Sequence, residues 1–102
     1  MHIDEMAALV EQVSVRYGEL FGIERSDEWL MLKLQEEVGE LSQAFLALTG
    51  QARDKGASEE EVQAQFRAEV ADVLGMAMLV GRRFGLDLDA EMKAKWLVHL
   101  PS

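Results

Sequence analysis

The sequence predicts an all-α fold, and three observations carry that expectation. Its one proline is Pro101, runs of β-branched residues are absent, and apolar residues recur at three- and four-residue intervals along most of the chain. A length of 102 residues suits one domain, 1–102, with a small helical core. The expected architecture is an antiparallel helical bundle of three main helices plus a short C-terminal helix, completed by oligomerisation.

Helix 1 is expected over about residues 4 to 20, with Met6, Val10, Val13, Tyr17 and Leu20 along one stripe. Gly22 and the Glu-Arg-Ser that follows break it. Ser26 reads as an N-cap, with Asp27 and Glu28 in the first turn of helix 2, which runs to Thr49 and stops at Gly50. Gln51 to Ala57 is a polar loop carrying Arg53 and Lys55. Ser58-Glu59-Glu60-Glu61 is a capping-box sequence that opens helix 3, which continues to Gly85. Helix 4 follows from about Asp87 to Leu97. Gly39 and Gly75 lie inside helices, where each costs roughly 1 kcal/mol relative to alanine. Close helix–helix approach would offset that cost, which points to tight packing across an oligomer.

A formal charge of −9 argues against a protein that grips nucleic-acid backbone. With no cysteines, disulfides, thiolate metal sites and Cys nucleophiles are excluded. The Met-His-Ile-Asp-Glu start lacks the features of a secretory signal. The apolar run from Val70 to Gly81 is too short for a bilayer and contains Asp72, so no membrane partner is expected. A soluble, cytoplasmic protein is the default expectation.

Two carboxylate pairs hold the chemistry: Glu37-Val38-Gly39-Glu40 and Glu69-Val70-Ala71-Asp72. The i, i+3 spacing puts both acids of a pair on one side of a helix. On a wheel of about 100° per residue, Leu30, Leu34, Leu41 and Leu48 fall within roughly 40° of one another. Glu37 joins that stripe, one turn from Leu34 and one from Leu41, with Glu40 and Lys33 on its flank. Glu69 falls beside Val62, Val73 and Val80. Asp72 is the only ionisable residue of a stretch apolar on nearly every side, a pattern that normally means burial. Buried carboxylates without partners cost several kcal/mol each. Lys33 can pair with Glu37, but one lysine cannot neutralise four acids. A divalent cation with oxygen ligands can, and Mg²⁺ suits helix-borne carboxylates that leave positions for water and phosphate. No histidine lies in either motif, which speaks against zinc and against di-iron bundles.

Leu34-Gln35-Glu36-Glu37-Val38-Gly39-Glu40-Leu41 followed by Glu69-Val70-Ala71-Asp72-Val73-Leu74 resembles the MazG-like all-α nucleoside triphosphate pyrophosphohydrolases, whose signature is ExxE, a spacer, then ExxD. The resemblance extends from Trp29 to Lys95, including Gly85-Leu86-Asp87-Leu88. It implies that Glu37, Glu40, Glu69 and Asp72 are Mg²⁺ ligands. The implied reaction is hydrolysis of a nucleoside triphosphate to the monophosphate and pyrophosphate, in nucleotide-pool house-cleaning. Glu36 would then position the attacking water beside Glu37. Family members often carry a lysine followed four residues later by asparagine; Lys95 matches the lysine, while His99 stands where the asparagine would be.

Lys95 and Lys33 are candidate phosphate contacts, as are Arg53 and Lys55 in the loop between the motif helices. Trp29, Phe45 and Trp96 are candidates to stack on a base, against the commoner role of helical aromatics in a core or interface. Arg82 and Arg83 either meet substrate or simply favour the helix C-terminus. His2 and His99 lie near the ends and have weak claims. Four helices in 102 residues cannot enclose a nucleotide deeply, so a homodimer or dimer of dimers is expected, with the site near a subunit interface. Two other readings remain. A phosphoribosyl-ATP pyrophosphohydrolase shares the scaffold and acids, but Val73-Leu74-Gly75-Met76 lacks its aromatic-His pair. A non-catalytic helical oligomerisation or regulatory module would have lost at least one acid, and this chain keeps all four.

Overall fold

The computed structural model describes residues 1–102 and contains α1 (Ile3–Phe21), α2 (Asp27–Leu48), α3 (Glu59–Arg83) and α4 (Leu88–Lys95), then a 3-10 turn at Leu97–His99. The expected all-helical fold of three long helices and one short C-terminal helix is what the chain adopts. Local chemistry explains the boundaries. Ser26 Oγ accepts from the Trp29 N–H at 3.1 Å and opens α2. At α3, Ser58 Oγ accepts from the Glu61 N–H while Glu61 Oε1 accepts from the Ser58 N–H, each at 3.1 Å. Those bonds to Ser58 hold the Glu61 carboxyl below its ordinary range. Gly50 (φ +74°) and Gly85 (φ +69°) turn the chain out of α2 and α3 in the left-handed region that a Cβ disfavours.

The α2–α3 pair is antiparallel: Leu30 packs with Met76 and Leu79, Glu37 and Glu40 meet Glu69, and Phe45 faces Phe66. The first helix packs on α3. It turns inward a small-residue face that includes Ala7 and Gly18, both buried. The last helix is docked by two features. A Cβ on Gly81 would stand 2.6 Å from Leu88 Cδ2, so Leu88 lies directly over this glycine and would have to shift for any larger residue. The carboxylate of Asp4 on α1 accepts from the N–H groups of Leu88 and Asp89 at 3.1 and 3.3 Å, capping α4 from another helix. His2 Nδ1 lies 3.0 Å from Asp89 Oδ2 at the same corner.

Several expectations are corrected here. Of the α1 stripe, only Val10 is half-buried; Val13 and Leu20 are 71% and 67% exposed. Val10 faces Gly75 of α3 and Gly18 lies against Arg25 and the Ile23 carbonyl, so the inward side of α1 is not the one that carries Val13 and Leu20. The apolar run of α3 is covered on one side only, leaving Val70, Leu74 and Asp72 exposed. Within one chain nothing lies within 4 Å of a Cβ placed on Gly39, and Gly75 would meet only Val10 Cγ1 at an ordinary 3.8 Å, so the close approach expected at these glycines would lie between copies. The tight approaches fall instead at Gly18 and Gly81. Arg83 belongs to the scaffold: its Nε donates to Asp27 Oδ1 at 2.6 Å and its Nη1 to the Arg25 carbonyl at 3.1 Å. Beside it Arg25 pairs with Glu11, fastening the α1–α2 connection to both helices.

The molecule measures 48 × 42 × 23 Å, and its thinnest dimension is about two helix diameters. Only 10 of 102 residues are buried, because two layers of helix leave each element with an uncovered side. The radius of gyration is 16.1 Å. A compact chain of this length would have about 13 Å.

Candidate functional site

The α2–α3 seam carries the acids. Leu34 precedes Glu37 by one turn and Leu41 follows it by one, and the side of the helix on which both are half-buried, with Leu30 and Ala44 buried, draws Glu37 in with them. Glu37 is 9% exposed and Glu69, on the facing helix, 5%. One carboxylate oxygen from each of Glu37, Glu40 and Glu69 lies within 4.8 Å of the other two. Glu37 Oε2 and Glu69 Oε2 are both buried without a hydrogen-bond partner. An anionic oxygen in that condition is costly unless it is protonated or meets a cation.

The electrostatics follow from this crowding. The Glu37 carboxyl is pushed up to about 7, first by burial, then by hydrogen bonding to Glu40 and by the charges of Glu40, Asp72 and Glu69. Lys33 is held above its ordinary value chiefly by its hydrogen bond to Glu36, against the opposing effect of its burial. Its Nζ is 3.1 Å from Glu36 Oε1 and 3.9 Å from Glu37 Oε1. Thus one ammonium group stands at the edge of the cluster, directed mainly at Glu36, an exposed acid outside it.

Of the sequence-predicted residues, Glu37, Glu40 and Glu69 come together, with Lys33 and Glu36 beside them. Asp72 is exposed and stands outside the group of three; its charge still reaches Glu37. Its expected burial does not occur, since no element of the chain covers that side of α3. Arg53 and Lys55 line a groove of about 890 Å³ between the α2–α3 loop and the seam, a groove that also includes Ala44 and Gln65. This groove leads toward the acids, because Gln65 Nε2 donates to Glu69 Oε1 at 2.6 Å.

Other candidates take different places. Trp29 packs against Leu30, Met76 and Leu79, a core position. Phe45 lines an apolar groove of about 420 Å³ with Leu41, Leu46, Phe66 and Val70. On the helical wheel Leu41 and Phe45 fall to one side of Glu37, while Glu40 and Lys33 fall to the other. That groove and the acids therefore occupy opposite flanks of the seam. Lys95 is exposed at the end of α4, which packs on α1 and the terminal turn, and it makes no ion pair or side-chain hydrogen bond. Trp96, His99 and Arg82 are exposed as well, while His2 is tied to Asp89. Gln65 is the polar neighbour that the sequence reading missed. Its signal was present as i, i+4 spacing to Glu69.

The donor set fits a hard divalent cation. All three converging groups are carboxylates, two offer unpartnered oxygens, and neither cysteine nor histidine is near to favour a softer metal. No family model, no curated protein and no solved structure matches this chain.

Proposed function

We propose that this protein is a Mg²⁺-dependent nucleoside triphosphate pyrophosphohydrolase, acting on small nucleotides in the cytoplasm. The observation that carries the reading is the pair of buried, unpartnered oxygens, Glu37 Oε2 and Glu69 Oε2, within one cluster of three glutamates. The ExxE and ExxD spacing supports it from the sequence side. Glu37, Glu40 and Glu69 would hold the cation, with Asp72 one turn beyond Glu69 adding negative charge. Bound there, Mg²⁺ supplies charge neutralisation on the phosphate oxygens and a lowered pKa for a bound water.

The chain's own groups divide the remaining work. Glu36, exposed and paired with Lys33, is an acceptor for a proton of the attacking water. Lys33 stays an ammonium ion and moves from Glu36 to the incoming phosphate. Arg53 and Lys55 are the two cations of the groove beside Gln65, whose lining also carries Asp54, Glu59 and Glu61, and they would meet the anionic tail.

The active form is a homodimer or a dimer of dimers. The chain exposes 7692 Å². A folded monomer of this mass exposes about 5,800 Å². The excess, roughly 1,900 Å² per chain, is of the size that an obligate homodimer buries. Much of it is apolar, including Leu20, Phe21, Leu32 and Leu74.

The test is pyrophosphate release from a panel of canonical and modified NTPs and dNTPs, with and without Mg²⁺, for the wild type and Glu37→Ala. Turnover that requires both the metal and Glu37 is expected. Activity confined to phosphoribosyl-ATP would move the assignment to that pyrophosphohydrolase. Absence of turnover on every substrate would leave a non-catalytic helical module.

A further inference from the structure

We infer that Gln65 is a positioning residue that orients Glu69 toward a divalent cation, an inference that rests on the cation reading above. The backbone explains why these two side chains meet. Each Cα–Cβ bond in a helix tilts toward the N-terminus, so Glu69 reaches back over the turn that carries Gln65 four residues earlier. Gln65 Nε2 donates to Glu69 Oε1 at 2.6 Å. An ionised carboxylate only accepts, so the amide must turn its nitrogen to Glu69 and direct its carbonyl away.

This bond distinguishes the two oxygens of Glu69. Oε1 is fixed by the amide, and Oε2 is left buried and unpartnered, as is Oε2 of Glu37 in the same cluster of three glutamates. A carboxylate held by one oxygen turns less freely about its terminal bond, so its second oxygen favours one direction. The choice of an amide matters. A lysine or arginine at this place would make a comparable bond but would bring a positive charge that competes with the cation. Glutamine supplies the orientation and leaves the negative charge undiminished. Gln65 also lines the groove that Arg53 and Lys55 share, so it stands where that groove meets the acid cluster.

A merely structural Gln–Glu pair along a helix would influence melting and nothing else. A positioning role is read by cation affinity. The probe is Mn²⁺, whose free concentration is followed by electron paramagnetic resonance, with Mg²⁺ and Ca²⁺ as competitors. Gln65→Met keeps length and helix preference without a donor, and Gln65→Ala is the second variant; circular dichroism establishes that each is folded. Glu69→Gln serves as the control for the site itself. Both Gln65 variants are expected to bind Mn²⁺ about tenfold more weakly, in the range found for outer-shell partners of metal ligands. They should also lose part of the preference for Mg²⁺ over Ca²⁺, since Mg²⁺ demands the stricter geometry. Mn²⁺ binding by folded variants equal to that of the wild type would overturn the positioning role and leave the cation site standing. Failure of the wild type to bind Mn²⁺ at millimolar concentration would overturn the site and this inference together.

Discussion

Lys33 gives its hydrogen bond to Glu36 and not to Glu37: the Nζ–Oε1 distances are 3.1 and 3.9 Å. The ammonium group nearest the acid cluster is thus bonded to an exposed carboxylate, from which it can be drawn at little cost. Lys33→Met is therefore expected to raise KM for a triphosphate about tenfold while changing Mn²⁺ affinity by less than about threefold. Steady-state kinetics beside a metal titration check this. An unchanged KM would remove Lys33 from substrate binding.

Glu37 makes stability fall as pH rises. Its carboxyl moves from an ordinary 4.5 to about 7 on folding, so the folded chain holds more protons than the unfolded chain between those values. The group favours folding least once pH exceeds about 7. Urea denaturation from about pH 4.5 to about pH 8 should show the decline in wild type and a flatter profile in Glu37→Gln. Mg²⁺ competes with the same proton, so it should stabilise the wild type more at about pH 8 than at about pH 5. A rise in stability across this window, or an identical profile in Glu37→Gln, would contradict the assignment.

Two glycines should respond in opposite directions. At Gly39 a Cβ meets nothing within 4 Å, so Gly39→Ala is expected to stabilise the chain. The gain is roughly 1 kcal/mol, from helix propensity. At Gly81 a Cβ would collide with Leu88 Cδ2 at 2.6 Å and Cγ at 3.0 Å, and Gly81→Ala should shift the Leu88 side chain and loosen its packing on α3. That loss is about 1–3 kcal/mol. Thermal melts decide both. A lower melting temperature for Gly39→Ala would mean that a second chain packs on that side of α2.

Light scattering at micromolar protein should give a mass above the 11.4 kDa of one chain. The apolar groove of Leu41, Phe45, Leu46, Phe66 and Val70 carries no charged residue, an advantage when each copy bears a net charge of −9. Phe45→Asp should therefore lower the mass to that of one chain, while Val13→Asp on the outer face of α1 should not. A monomeric wild type would remove the oligomer from the proposed function. Dissociation by Val13→Asp alone would move the interface to α1.

Much of the fold was legible in the sequence because helix ends are local events. Ser26, the Ser58–Glu61 box and the glycines at 50 and 85 act on neighbours a few residues away, and the structure places the α2 and α3 boundaries at those signals. The same locality made the acid spacing readable: residues three or four apart must share a helix face, whatever lies opposite. The sequence by itself thus determined which residues could stand together on one element, including Glu37 with Glu40 and Gln65 with Glu69. Tertiary structure decided which faces met and how closely. It turned the small residues of α1 inward in place of the large apolar stripe, left Asp72 in solvent, and set Glu37 against Glu69 closely enough to raise the Glu37 carboxyl to about 7. Periodicity fixes an angle around one helix axis. The distance and rotation between two axes arise from side-chain volumes packed across both, and those are not encoded in the spacing of either helix alone.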